Sequence, residues 1–471
     1  LLTTFSAEKT KANKVALSSA EVQIHKMKKI LILAYDFPPY ISVGALRPNA
    51  WFKYFKEFGF HPIVVTRQWD NKYGDFRDYI APSTLDQALI EEYDKGAIIR
   101  APYYPNWSNR LILNKGEKKW KLARKAYSAV VEYGQYVLPI GPKRPIYLSA
   151  NEYLKKNKVD VIFATGDPFV LFHYANELSQ EFNIPWIADY RDPWTLNSDE
   201  NKFWLEKKIQ GFLEKKIVSK ACCITVVSEF VKYKIEQVVQ PKRQSFLILP
   251  NGYDDEAINK VKDIPQSRSE LTISLVGSLY NWHPYEHFLA TCAKFLEQKK
   301  QSIKFKFYGT NRKTELEYII QNKFPILKNH VEVIGKMPNN RLLEELAKDN
   351  VMLLFNYYSY MGTKIFDYLG INRKILLCFT DDKEAQKLKS AYYKVNENSN
   401  FSGSLQADLI QETNSGIIVK DASELFIILE ELCHEFSLSN KIKSSSTNTD
   451  NHSRKNYVKV LADFLNKNEK N

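Results

Sequence analysis

Nowhere does the sequence hold the roughly 18 to 20 consecutive apolar residues that a membrane-spanning helix needs. Its longest apolar runs, "KKILILAY" and "VMLLF", are strand-sized. Cysteine is also scarce. The five present, two of them adjacent at Cys222 and Cys223, have neither metal-ligand spacing nor the even count of a disulfide framework. A reducing, cytoplasmic compartment is therefore expected. The first 26 residues lack both a starting Met and the apolar core of a signal peptide. Met27 is followed at once by "KKILILAYDFPP", so the natural start is expected there, with 1–26 a non-native or disordered leader. No recognised nucleic-acid motif occurs and the lysines are spread along the chain, so a nucleic-acid partner, the remaining explanation for an excess of positive charge, is not expected.

What is there is globular. A chain of 471 residues exceeds one ordinary core, and two domains follow. The 28 Tyr and 27 Phe exclude a disordered chain. The formal charge of +13 points to an anionic partner such as a nucleotide, a phosphorylated substrate or an acidic membrane face.

From Lys28 the pattern alternates short continuous apolar runs with helical periodicity, the mark of βαβ units around a parallel sheet buried on both faces. "ILILAY", "HPIVVTR", "VDVIFATGDP", "IPWIADYRDPW" and "ACCITVVSE" form one series; "LTISLVGSLY", "IKFKFYGT", "HVEVIGKMP", "NVMLLFNYY" and "RKILLCF" form a second. The polar stretch "LPNGYDDEAINKVKDIPQSRSE" reads as the linker between them. Two doubly wound domains, 27–262 and 263–436, are expected, then a polar linker and closing helix over 437–471. Residues of about 70–150 fit the rhythm badly and read as an insertion. Its basic helical piece, "NKGEKKWKLARKAYSAVVEYGQYVL", suits either a solvated helix or docking on an anionic inner membrane face.

Ligands of open parallel sheets sit beyond the carboxyl ends of the strands, so the loops there are searched first. "SVGALRP" sets Gly44 and Arg47 at a helix start, where backbone N–H groups and a guanidinium can meet an anion. "ADYRDPW" crowds Asp189, Arg191 and Asp192 together, and "VGSLYNW" puts Gly277 and Ser278 at a strand end. In "GTKIFDYLGINRKILLC", Gly362 and Thr363 open a helix whose dipole suits a phosphate, and Lys364 adds a full charge. Asp367 falls on the same face and could accept from a ribose diol. Each feature also has a structural explanation: a cap, a dipole partner, an ion-pair corner. His173 reads as a core histidine, Gly252 in "LPNGYD" as a turn glycine, and His283 with His287 as a spacing coincidence that lacks a third metal ligand.

In order along the chain, "ILILAYDFPPYISVGALRP", "PWIADYRDPW", "ITVVSEFVKYKI", "LPNGYD", "LVGSLYNWHP", "FYGT", "VIGKMPNNRLLEELAKDNVMLLF" and "GTKIFDYLGINRKIL" together resemble the retaining family 4 glycosyltransferases of GT-B architecture, in particular the branch that builds bacterial surface polysaccharides. The resemblance implies two Rossmann-like domains facing a cleft, with the last helix returning toward the first domain. It implies a nucleotide-sugar donor, a glycan or polyprenyl-linked acceptor, no cofactor and no metal. Gly44, Arg47, Gly277, Ser278, Lys336, Gly362, Thr363, Lys364 and Asp367 would bind the donor, with Lys336 near the nucleobase. Asp192 would act on the acceptor side, oriented by Asp189 and Arg191.

Two departures stand out. The acidic pair common in the family is reduced to Asp367, with Ser359 at the other position. The loop "SLYNWHPYEHF" lacks the usual Arg and Lys. A sugar-nucleotide epimerase of the same architecture, or a catalytically silent partner subunit, are the alternative expectations.

Overall fold

The computed structural model describes residues 27–69, 76–197, 204–240 and 244–468, so the expected leader at 1–26 lies outside the described residues. Two sheets organise the chain. The first contains β1 (Lys28–Leu33), β2 (Phe60–Arg67), β3 (Leu89–Tyr93), β4 (Gly96–Ala101), β5 (Val161–Gly166), β6 (Trp186–Tyr190), β7 (Cys223–Val226) and β8 (Ser245–Ile248). Their spatial order is β3-β4-β2-β1-β5-β6-β7-β8, and every pairing is parallel except β3 with β4. The second sheet contains β9 (Leu271–Val276), β10 (Ile303–Tyr308), β11 (Val331–Ile334), β12 (Val351–Phe355), β13 (Lys374–Cys378) and β14 (Gly416–Val419). It is wholly parallel, in the order β11-β10-β9-β12-β13-β14.

The apolar runs are continuous because both faces of each sheet are covered. In β1, Leu31 and Leu33 join one core cluster while Ile30 and Ile32 join another. The second cluster contains Ala50, Trp51 and Tyr54 of helix Leu46–Tyr54, and also Val458, Leu461 and Ala462 of the last helix, Arg454–Asn468. The chain's final helix therefore closes the core of the first sheet, each such Val or Leu contributing about 1.5–3 kcal/mol by burial.

Two segments cross between the sheets. The Tyr253 amide donates to the His452 carbonyl at 3.2 Å, and the Arg454 amide donates to the Tyr253 carbonyl at 2.8 Å. Gly252 has φ +68°, and a Cβ there would sit 2.9 Å from the His452 carbonyl oxygen. Beyond serving a turn, this glycine lets the two crossing strands of chain touch.

Residues 89–101 add the edge strand β3 and its neighbour β4 to the first sheet. The basic piece starts at the end of helix Trp107–Lys115, which stops at Gly116 with φ +78°, and forms helix Lys121–Gly134.

Candidate functional site

Each sheet has one place where its winding reverses: β1 lies between β2 and β5, and β9 lies between β10 and β12. Loops leaving the strands there converge on a cavity of about 310 Å³ between the two sheets. The first half contributes Val43, Arg191, Asp192 and Asn197; the second contributes Tyr280, Trp282, Tyr357, Tyr360, Gly362, Thr363 and Phe366. That volume is at the lower end of the roughly 300–1,000 Å³ typical of ligand pockets. A larger hollow of about 760 Å³, lined by Lys215, Lys216, Ala221 and Gln244, lies at the opposite, amino-terminal edge of β7 and β8, where the fold converges no loops of the second domain.

On the first side, Arg191 is held by its own backbone neighbours. Its Nε donates to the Gly166 carbonyl at 2.8 Å and its Nη2 to the Asp167 carbonyl at 2.6 Å. Gly44 is what makes room for it: a Cβ at Gly44 would collide with the Arg191 guanidinium and lie 2.7 Å from Asp36 Oδ2. The Gly44 amide donates to Ser42 Oγ at 2.9 Å, and Ser42 Oγ donates to Asp36 at 2.5 Å. Burial raises the Asp36 carboxyl above the ordinary range, with Ser42 and Arg191 opposing that rise. Gly44 therefore shapes the arginine's seat, and its own N–H is already used.

Arg47 and Asp189 require correction. Arg47 was expected at the donor and Asp189 as an orienting partner of Asp192, and neither borders the cavity. Arg47 is 5% exposed and Asp189 is fully buried. Asp189 accepts from Arg47 Nη2 at 2.5 Å, from Thr165 at 2.8 Å and from Thr225 at 2.6 Å. Arg47 also donates to the Leu249 and Pro250 carbonyls. The pair stitches strands β5, β6 and β7 to the linker. Both terminal nitrogens of the guanidinium are thus bonded to the sheet carboxylate and the linker carbonyls, and Arg47 does not line the cavity.

On the second side, helix Lys364–Ile371 presents its amino end to the cavity. Gly362 and Thr363 line the wall, and Thr363, at the N-cap, makes no side-chain cap. The helix is anchored by Tyr368, which is buried and whose hydroxyl accepts from the Val276 amide at 3.0 Å, beside Gly277. Gly277 has φ +98° with open space around it, and Ser278 is exposed. Lys336 is exposed at the end of β11, its side chain beside Gly309, and does not line the cavity. Lys364 Nζ and Asp367 Oδ2 lie 3.2 Å apart, so cation and carboxylate satisfy each other rather than facing the cavity wall.

The sequence reading missed the aromatic lining. Where a basic pair was missing, Tyr280 stacks on Trp282 with ring centroids 4.4 Å apart, and the Trp282 indole N–H has no partner among the described residues. Behind them His283 is buried and pushed down to about 3 by desolvation, so it stays neutral. His287 instead contacts Asp382 at 3.2 Å, so the two histidines share no ligand. Ser359, at the position lacking an acid, donates to Glu397 at 2.7 Å, and Glu397 also pairs with Lys389 at 2.7 Å. A carboxylate thus reaches that place from a polar stretch, "KVNENSN", that gives no motif. Among the described residues, no group of three or more His, Cys, Asp or Glu could hold a metal ion.

The arrangement has a helix amino end and one fixed guanidinium on opposite walls, with flat rings between them. It can hold an anion and stack a planar or sugar ring. No protein-family model matches the sequence, and the search of curated proteins found no match. Solved structures do match over nearly the whole chain. Sucrose-phosphate synthase from Thermosynechococcus elongatus is 14% identical and covers 94% of this chain and 98% of its own, with TM-score 0.53. A glycosyltransferase from Rickettsia africae ESF-5 is 14% identical, covering 94% and 99%, with TM-score 0.54. A trehalose-6-phosphate structure from E. coli bound with UDP-2-fluoro glucose is 11% identical, covering 93% and 96%, with TM-score 0.53. At these identities the likeness is one of fold: two doubly wound α/β domains of Rossmann-like form facing a cleft, the GT-B architecture.

Proposed function

We propose that the protein is a glycosyltransferase that moves a sugar from a nucleotide-sugar donor to a glycan or lipid-linked acceptor, with retention at the anomeric carbon. The family 4 resemblance suggests a place in surface-polysaccharide assembly. The observation that carries the reading is the uncapped amino end of helix Lys364–Ile371, opening through Gly362 and Thr363 onto a cavity with Arg191 on the far wall. A UDP-2-fluoro glucose bound by the E. coli structure of like fold agrees with a donor of this class.

In this mechanism negative charge grows on the diphosphate as the glycosidic bond breaks. Helix N–H groups and cations that meet it stabilise the transition state more than the bound donor. Lys364 is reserved by Asp367 until a donor arrives, in a part-buried pair where Lys364 is 31% and Asp367 13% exposed. Donor binding would exchange partners, with phosphate taking Lys364 and the ribose diol taking Asp367. Gly277 and Ser278 leave the backbone approachable beside that site, and Lys336 lies further out toward the nucleobase. Asp192, on the first wall, would meet the acceptor, with Arg191 beside it. Protein cations and the helix end would do what a divalent ion does elsewhere.

The test is Lys364→Ala with the fold verified by circular dichroism. Loss of transfer of about a hundred- to a thousandfold is expected. Unaltered turnover removes the phosphate role. Interconversion of the donor sugar with no acceptor present would point to an epimerase instead. A thermal-shift screen against UDP-, GDP-, ADP- and CMP-sugars assigns the nucleobase.

A further inference from the structure

The basic helix of the first domain turns out to be only half of a larger face. Helix Lys121–Gly134 buries a single side chain, Arg124. Leu122, Ala126, Val130, Tyr133 and, in the following turn, Val137 recur at helical spacing and form one stripe. Leu122 is 84% exposed and Val137 81%. A neighbouring helix, Trp204–Val218, extends the stripe with Leu205, Ile209 and Phe212, all exposed. The two helices meet at a shallow hollow lined by Ala129, Tyr133, Leu205 and Ile209. Contiguous apolar surface of this kind marks a place of contact.

Charge says what the contact is. Lys118, Lys119, Lys121 and Lys125 crowd the start of the first helix, all exposed. On the second, Lys207 and Lys208 sit near the start and Lys215 and Lys216 in the last turn, all exposed. Among the described residues, the two helices and the turn that opens the first hold only Glu117, Glu132, Glu206 and the buried Glu214 against those eight lysines. A second copy of the chain would bring like charges together, whereas an acidic surface would neutralise them. Trp120, 65% exposed at the head of the first helix, adds the amphipathic ring that suits a headgroup layer.

We infer that the face formed by helices Lys121–Gly134 and Trp204–Val218 docks on an anionic lipid bilayer. The apolar stripe enters the interface and the lysines meet lipid phosphates. The face is wired to the cavity. Tyr136 stacks on Trp194 with centroids 5.5 Å apart, while Glu214 of the second helix accepts from the Tyr190 hydroxyl at 2.9 Å and from the Thr195 amide at 3.0 Å. Between those anchors lie Arg191 and Asp192, so a docked protein holds that wall of the cleft at the membrane surface. A lipid-linked acceptor would then enter there directly; this consequence rests on the proposed function, but the docking does not.

The experiment is co-sedimentation of the full chain with vesicles at low salt, either equal parts phosphatidylglycerol and phosphatidylcholine or phosphatidylcholine alone. Binding to the anionic vesicles is expected, declining steeply with added salt. Leu122→Glu/Val137→Glu should weaken it at least about tenfold, and so should Lys119→Glu/Lys121→Glu, a pair of exposed changes that leaves the apolar stripe intact. Circular dichroism and nucleotide binding should be unchanged in both. No binding by the wild-type chain overturns the inference, as does binding that neither variant weakens. A dimer that Leu122→Glu/Val137→Glu separates, without vesicle binding, would assign the face to a second copy.

Discussion

Replacement of Arg47 by Met removes a buried cation while its carboxylate partner stays behind. Asp189, fully buried, would keep Thr165 and Thr225 as donors but lose the only cation within bonding distance in the described structure. Breaking a buried pair from one side costs about 3–5 kcal/mol. Loss of the donor to the Leu249 carbonyl adds about 1 kcal/mol. Met retains the aliphatic stem, so little packing is lost. The total, about 4–6 kcal/mol, is comparable to the lower end of the roughly 5–15 kcal/mol by which domains are stable. Urea denaturation followed by tryptophan fluorescence should show the first domain melting far earlier. Arg47→Met/Asp189→Leu should recover part of the loss, because no charge is then left uncompensated. Stability within about 0.5 kcal/mol of wild type, together with lost nucleotide-sugar binding, would refute this reasoning and return Arg47 to the ligand.

Other consequences follow from the same geometry. Gly44→Ala should push Arg191 out of its seat and slow transfer about a hundred- to a thousandfold at intact secondary structure; normal turnover would show that the arginine's position is immaterial. Asp367→Asn should weaken donor binding about tenfold by calorimetry with kcat little changed, since a charge-assisted bond to the ribose is lost. His283 is pushed down to about 3 from its ordinary 6.5, so the unfolded chain takes up a proton where the native one does not. Its contribution to stability is full above about pH 6.5 and is lost as the pH falls toward about 3, at up to about 1.4 kcal/mol per pH unit. In His283→Phe the acid limb of the urea midpoint should flatten; an unchanged slope would contradict the buried neutral imidazole.

The sheets were legible because strands buried on both faces leave uninterrupted apolar runs, as in "ILILAY" and "VMLLF". β3 escaped notice because it is an edge strand with mostly exposed side chains, "LIEEY", and leaves no such run. At the site, the helix start at Gly362–Thr363 and the Arg191–Asp192 corner were readable from residue type and loop position. Arg47 and Asp189 were not, because sequence cannot distinguish a cation facing a ligand from one neutralising a carboxylate inside the sheet. Trp282 and Tyr280 carry no motif, and Glu397 reaches Ser359 across 38 positions, so only the folded chain brings them in.

The central claim is that the amino end of helix Lys364–Ile371 receives the donor's pyrophosphate. An experimental structure of the full chain with a nucleoside diphosphate tests it most directly. Phosphate oxygens should lie about 2.7–3.2 Å from backbone N–H groups of residues 363–365, with Lys364 released from Asp367. A diphosphate bound elsewhere, with the Lys364–Asp367 pair still closed, would contradict it.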